Sequence, residues 1–166
     1  MRPSSQELIR GIAQVLEDEV LPELQATSWT ASYVRSCLLV LAHLEERVVH
    51  EGHVLFADNE ELRDLLQRAR AHLAPIAGCE PLTAALAGVL DEVHPCVGYP
   101  SVERLEQENT AYKAGLDQLI VELHQRKAAL GAETYQAVHA MVLAYLRTAS
   151  DREAVLFRKT GGRSPL

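Results

Sequence analysis

Cysteine is scarce. The chain of 166 residues has three, Cys37, Cys79 and Cys96, and no CxxC pair. An odd, widely spaced set excludes a disulfide scaffold and lacks the close thiolates of a structural zinc site. Three reduced thiols are expected, with Cys37 in the core. Membrane-length apolar runs are missing too: Cys37-Leu38-Leu39-Val40-Leu41-Ala42 falls far short of the ~20 residues that span a bilayer. No signal-peptide pattern follows Met1, so a soluble cytoplasmic chain with no membrane role is expected. Positive charge is low. Lys and Arg number 16 against 23 Asp and Glu, a net charge of −7, and no basic run exceeds two residues. Phosphate backbones need a basic face, so nucleic acid is not an expected partner.

Several catalytic signatures are absent. There is no G-x-S-x-G elbow, Walker loop or G-x-G-x-x-G, and the one glycine pair is Gly161-Gly162. His50-Glu51-Gly52-His53 is one residue short of H-E-x-x-H, with Val54 where the second histidine would stand. A di-iron carboxylate bundle needs Glu-x-x-His on two helices. No glutamate here has histidine three residues later, and Asp91-x-x-His94 is the nearest substitute. No cofactor is expected on these grounds.

What the sequence does have is helical periodicity. A first helix starts at Ser4, whose S-x-x-E with Glu7 is a capping box. It carries Leu8, Ile12, Val15, Leu16 and Val20 to near Leu24. A second runs from about Ser28 to Gly52 with Val34, Cys37, Leu41, Leu44 and Val48, apolar all round between Cys37 and Ala42. Asp58 is expected to cap a third, closed by Pro75 and Gly78, and Pro81 to open a fourth ending near Val93. After a loop, His94–Pro100, Ser101 caps a long helix to about Leu130, with Leu105, Tyr112, Leu116, Leu119 and Leu123 as its stripe. Gly131 turns the chain into a last helix, Ala132 to about Lys159, carrying Val138, Val142, Tyr145, Ala149 and Leu156. The expected fold is all-α. It is an antiparallel four-helix bundle of the first, second, fifth and sixth helices, with two short extra helices between its halves. Residues 1–160 form one domain, with 161–166 a flexible tail. The apolar surplus of the second and last helices calls for cover from the short helices or from a homodimer.

Polar residues in apolar settings mark the candidate sites. His43, Glu46, His50 and His53 are spaced three and four apart on one helix face. They could hold a divalent metal ion with Glu108 or His139 from a facing helix, or they are simply a solvent face. Glu108 falls between Leu105 and Tyr112, and Arg152 between Ala149 and Leu156. If the last two long helices turn back at Gly131, Glu108 and Arg152 lie at one height. They would then form a structural ion pair or line an inter-helix pocket for a small ligand, with Arg47, His50, Tyr112 and Glu153 as companions. A metal-free enzyme using His50 or His139 as a general base is a further reading, which needs an aligned partner. Glu17, Asp18, Glu19 and Glu23 oppose the first helix's dipole, as a solvated face or a surface for a basic partner.

Arg2-Pro3-Ser4 with Glu7-Leu8, then Glu19 and Leu21-Pro22, Arg47-x-x-His50-Glu51, Glu60-Glu61 and Asp151-Arg152-Glu153 carry a resemblance. They resemble an uncharacterised family of small all-helical bacterial proteins, often encoded near acyl-CoA dehydrogenases and aminoglycoside-phosphotransferase-like kinases. His53 and His94–Pro100 are not part of the likeness. The resemblance implies an accessory role near acyl-CoA or small-molecule catabolism and assigns no catalytic residues. The expectation is a non-enzymatic bundle that binds a protein partner or a small ligand, with the metal-binding protein, possibly an enzyme, as alternative.

Overall fold

The computed structural model describes residues 3–92 and 98–157. Among them there is no strand, and the chain is all-α: α1 Ser5–Val15, α2 Trp29–Leu73, α3 Glu80–Glu92, α4 Val102–Gln125, α5 Lys127–Leu130 and α6 Ala132–Glu153. The expected tail, Cys96 and most of the loop before Gly98 lie outside the described residues.

Two of the expected caps are present. Glu7 N–H donates to Ser4 Oγ (3.2 Å) while Ser4 N–H donates to Glu7 Oε2 (2.7 Å). Arg104 N–H donates to Ser101 Oγ (3.3 Å). Beyond α1 the helix does not run on unchanged to Leu24. Leu16–Val20 is a π-helical turn and Leu21–Glu23 a 3₁₀ turn. Pro22 has no N–H to return to the carbonyl four residues back, and Leu21 N–H bonds Leu16 instead. The acidic cluster of this segment is exposed.

The main correction concerns α2. The second and third expected helices are one, 45 residues long. No proline interrupts residues 29–73, and an interior glycine such as Gly52 costs only ~1 kcal/mol. Asp58 is therefore a helix-interior residue and not a cap.

The chain divides into two compact units, 1–51 with 153–166, and 52–152. The second unit holds the core. Leu62, Leu66, Ala69 and Leu73 of α2 meet Leu82 and Leu86 of α3, Tyr112, Leu116, Leu119 and Leu123 of α4, and Val138, Val142 and Tyr145 of α6. The expected short third and fourth helices thus build the core they were expected to cover. Asn59 meets Leu105, and Leu66 approaches Gly115, so α4 runs with α2. Asp58 meets Arg152, and Glu61 meets Thr148, so α6 runs against it. Gly131, at φ 75°, makes the reversal between α5 and α6.

The first unit is built differently. α1 has no buried residue. Cys37, expected in the core, is exposed, as are Leu44 and Val48 of the expected stripe.

Gly115 sits where α2, α3 and α4 come closest. A Cβ there would lie 3.3 Å from Val89 Cγ1 and 3.4 Å from Leu66 Cδ1, whereas Gly88 has nothing within 4 Å. We expect Gly115→Val to destabilise the protein by about 1–3 kcal/mol and Gly88→Ala to stabilise it by up to ~1 kcal/mol. Urea unfolding of the two variants checks both signs.

Candidate functional site

Among the described residues of the second unit, the buried polar ones are Asp58, Asn59 and Asn109. Asp58 lies one helical turn after Val54 and one before Leu62, on the apolar stripe of α2. A carboxylate there must be supplied with partners, and α4 and α6 supply them. Tyr145 OH donates to Oδ1 (3.1 Å) and Arg152 Nη1 to the same oxygen (2.5 Å). Asn109 Nδ2 donates to Oδ2 (2.7 Å), with Lys113 Nζ at 3.8 Å. Asn109 Nδ2 also donates to Asn59 Oδ1 (2.8 Å), and Asn59 Nδ2 to the carbonyl of Leu105 (2.9 Å). Arg152 further pairs with Glu61, which accepts from Thr148 Oγ1 (3.1 Å). Among the described residues no buried side-chain N or O lacks a partner. The network is closed on itself, and its chemistry is that of a lock between three helices.

Asn59 of this lock also lines the bottom of a cleft of about 480 Å³. Leu105 and Tyr112 complete its buried floor. Arg63 and Arg70 of α2 stand at its rim with Glu60, Asp91 and the half-buried Glu108. Phe56 borders it and stacks on Tyr99, ring centroids 6.0 Å apart at 24°. Arg63 is engaged by Glu60 at 3.4 Å, while Arg70 has no ion-pair partner among the described residues. Burial pushes the Tyr112 phenol above its ordinary value of 10.0. Arg63 opposes the shift, and Glu108 and Glu60 add to it.

Two of the expected ligand-binding residues, Glu108 and Tyr112, share this cleft. The expected Glu108–Arg152 pair does not form. Glu108 accepts from Arg104 Nε (2.9 Å), one turn back on its own helix, and Arg152 is taken by Asp58. The reason is that α2, read as broken at Asp58, in fact carries that carboxylate to Arg152. Arg47 and His50 make local contacts along α2, with Glu51 at 3.2 Å and Glu46 at 3.7 Å. Of the expected metal set, His43 and Glu46 are half-buried on α2, His53 is exposed, and His139 is exposed and stacked on Tyr135 at 5.4 Å. Among the described residues no three His, Cys, Asp or Glu side chains are grouped to hold a metal ion. Asn59 and Asn109 were not expected in any site. The signal for them is spacing: Asn109 falls four after Leu105 and three before Tyr112, inside the apolar stripe of α4.

No protein-family model, curated protein or solved structure matches the chain. No described helix is long and apolar enough to cross a membrane.

Two outcomes are expected. Asp58→Ala leaves Arg152, whose side chain is only 16% exposed, with Glu61 as its one acid and removes the acceptor of Tyr145 OH, and should cost about 3 kcal/mol in urea unfolding. Adding Arg152→Leu removes the half-paired charge and should recover part of that loss. The raised Tyr112 phenol holds its proton longer folded than unfolded, so its contribution is complete below the unfolded value and is lost as pH rises through the folded one. Tyr112→Phe should therefore remove part of the stability loss above pH ~10, and one phenol ionisation from the ultraviolet titration.

Proposed function

We propose that the protein works by binding a small, polar, carboxylate-bearing molecule in the cleft between α2, the end of α3 and α4. The supporting observation is Arg70, a cation without an ion-pair partner among the described residues, at the rim of a 480 Å³ cleft floored by Asn59, Leu105 and Tyr112. The volume falls in the range of small-molecule sites, and the charged groups around it, Glu60, Arg63, Arg70, Asp91 and Glu108, suit a polar ligand. In this reading Arg70 and Arg63 hold the carboxylate. Tyr112 and Glu108 supply hydrogen bonds, and Phe56 supplies an apolar wall. The resemblance to small helical proteins encoded near acyl-CoA dehydrogenases supports a metabolite of acid catabolism as the ligand, and with it an accessory role for this chain.

The test is a two-dimensional NMR titration of the labelled protein with short-chain carboxylates, free coenzyme A and inorganic phosphate. The expected result is a saturable shift of Phe56, Arg63, Arg70 and Tyr112 resonances with a carboxylate. Affinity should fall at least ~10-fold in Arg70→Ala, the equivalent of losing one charge-assisted hydrogen bond. Shifts confined to other parts of the chain, or none with any probe, would overturn the reading.

A further inference from the structure

The cleft between α2, α3 and α4 carries both signs of charge, and most of its charges are already answered. Glu60 meets Arg63 at 3.4 Å, and Glu108 accepts from Arg104 Nε at 2.9 Å. Two charged side chains of the lining have no ion pair or side-chain hydrogen bond among the described residues: Arg70 of α2 and Asp91 of α3. They do not pair with each other, although both line the same cleft of about 480 Å³.

The fold sets these two on different walls. Val89 of α3 and Leu66 of α2 both approach Gly115, at 3.3 and 3.4 Å from a Cβ placed there, so the end of α3 stands beside the middle of this stretch of α2. Asp91 lies two residues beyond Val89, and Arg70 one turn beyond Leu66. Gln67 of α2 and the half-buried Leu90 of α3 line the cleft with them. Asp91 also occupies the last turn of α3, which holds no basic residue. A helix dipole disfavours an anion at that end and favours a cation. The helix terminus and the carboxylate thus ask for the same thing, a positive group, and Arg70 on the other wall asks for a negative one.

This pattern decides the charge of the ligand. A plain carboxylate on Arg70 leaves Asp91 in the same cleft as an unanswered like charge, and the repulsion subtracts from binding. A plain amine on Asp91 meets the same objection from Arg70. A molecule with both groups gives each side chain a partner of opposite sign, and charge-assisted hydrogen bonds are the strong ones. The charge of the whole chain acts in the same direction. At −7 it repels a monoanion on approach, whereas a zwitterion has no net charge to be repelled.

We infer that the ligand is a zwitterionic amino acid, with its carboxylate on Arg70, its ammonium on Asp91 and its carbon skeleton along Leu90. The inference rests on the carboxylate reading above and adds the second charge to it. Asp91 is then the residue that separates amino acids from plain acids of the same length.

Pairs of molecules that differ by the ammonium alone test this: propionate with alanine and with β-alanine, butyrate with γ-aminobutyrate, and valerate with δ-aminovalerate, each titrated into the full chain and followed by NMR. In at least one pair the amino acid should bind ~10-fold or more tightly than the plain acid. Asp91→Asn should weaken that amino acid by ~10-fold and leave the plain acid as tight or tighter, because a repelling charge is gone. Asp91→Lys should reverse the preference. Asp91 is exposed, so both variants should keep the helicity of the parent, which circular dichroism checks. Arg70→Ala should weaken both members of the pair. Plain acids that saturate the cleft with no gain from the ammonium, or a preference that survives Asp91→Asn, overturn the inference and leave the carboxylate reading standing. No saturable shift with any member overturns both.

Discussion

A carboxylate placed inside a helix's apolar stripe governs how the second unit is arranged. Asp58 cannot be left without partners at 4% exposure, because an unpaired buried charge costs several kcal/mol. Its partners must come from other helices, since its own backbone N–H groups are committed to α2. Tyr145 and Arg152 come from α6, and Asn109 from α4. Each bond demands one rotation and one height of its helix, which generic apolar contacts do not. Leucines dominate the rest of this core, and leucine surfaces slide over one another at small cost. The polar lock is what makes one register better than its neighbours. Asn59 then joins the lock to the cleft. Its amide is held by Asn109 and by the Leu105 carbonyl, so the floor of the cleft is positioned by the same bonds that set α4 against α2.

The helices themselves were legible. Capping at Ser4 and Ser101, the stripe of α4 and the turn at Gly131 all follow from local chemistry, and local chemistry is what a sequence displays. The failures share one cause. Asp58 was read as a cap because aspartate is a good cap, and this divided α2 in two. A cap needs only its own helix, whereas a buried aspartate needs two others, and their approach is not written near residue 58. With the helix broken at Asp58, Arg152 had no visible acid except Glu108. Glu108 and Asn109 fit the gap between Leu105 and Tyr112 equally well by spacing. The charged one drew attention, and the neutral one turned out to face the core. Half of the candidate site was therefore legible, Glu108 and Tyr112, and the half set by tertiary contact was not.

The same periodicity also explains why Cys37 was expected inside. A seam of apolar residues at steps of three and four states that something covers it and says nothing of what does. In α4 the cover is the chain's own α2, α3 and α6. On the N-terminal half of α2, Tyr33, Cys37, Val40, Leu44 and Val48 stay exposed. The first helix, α1, has no buried side chain, so it holds little of its apolar surface out of water.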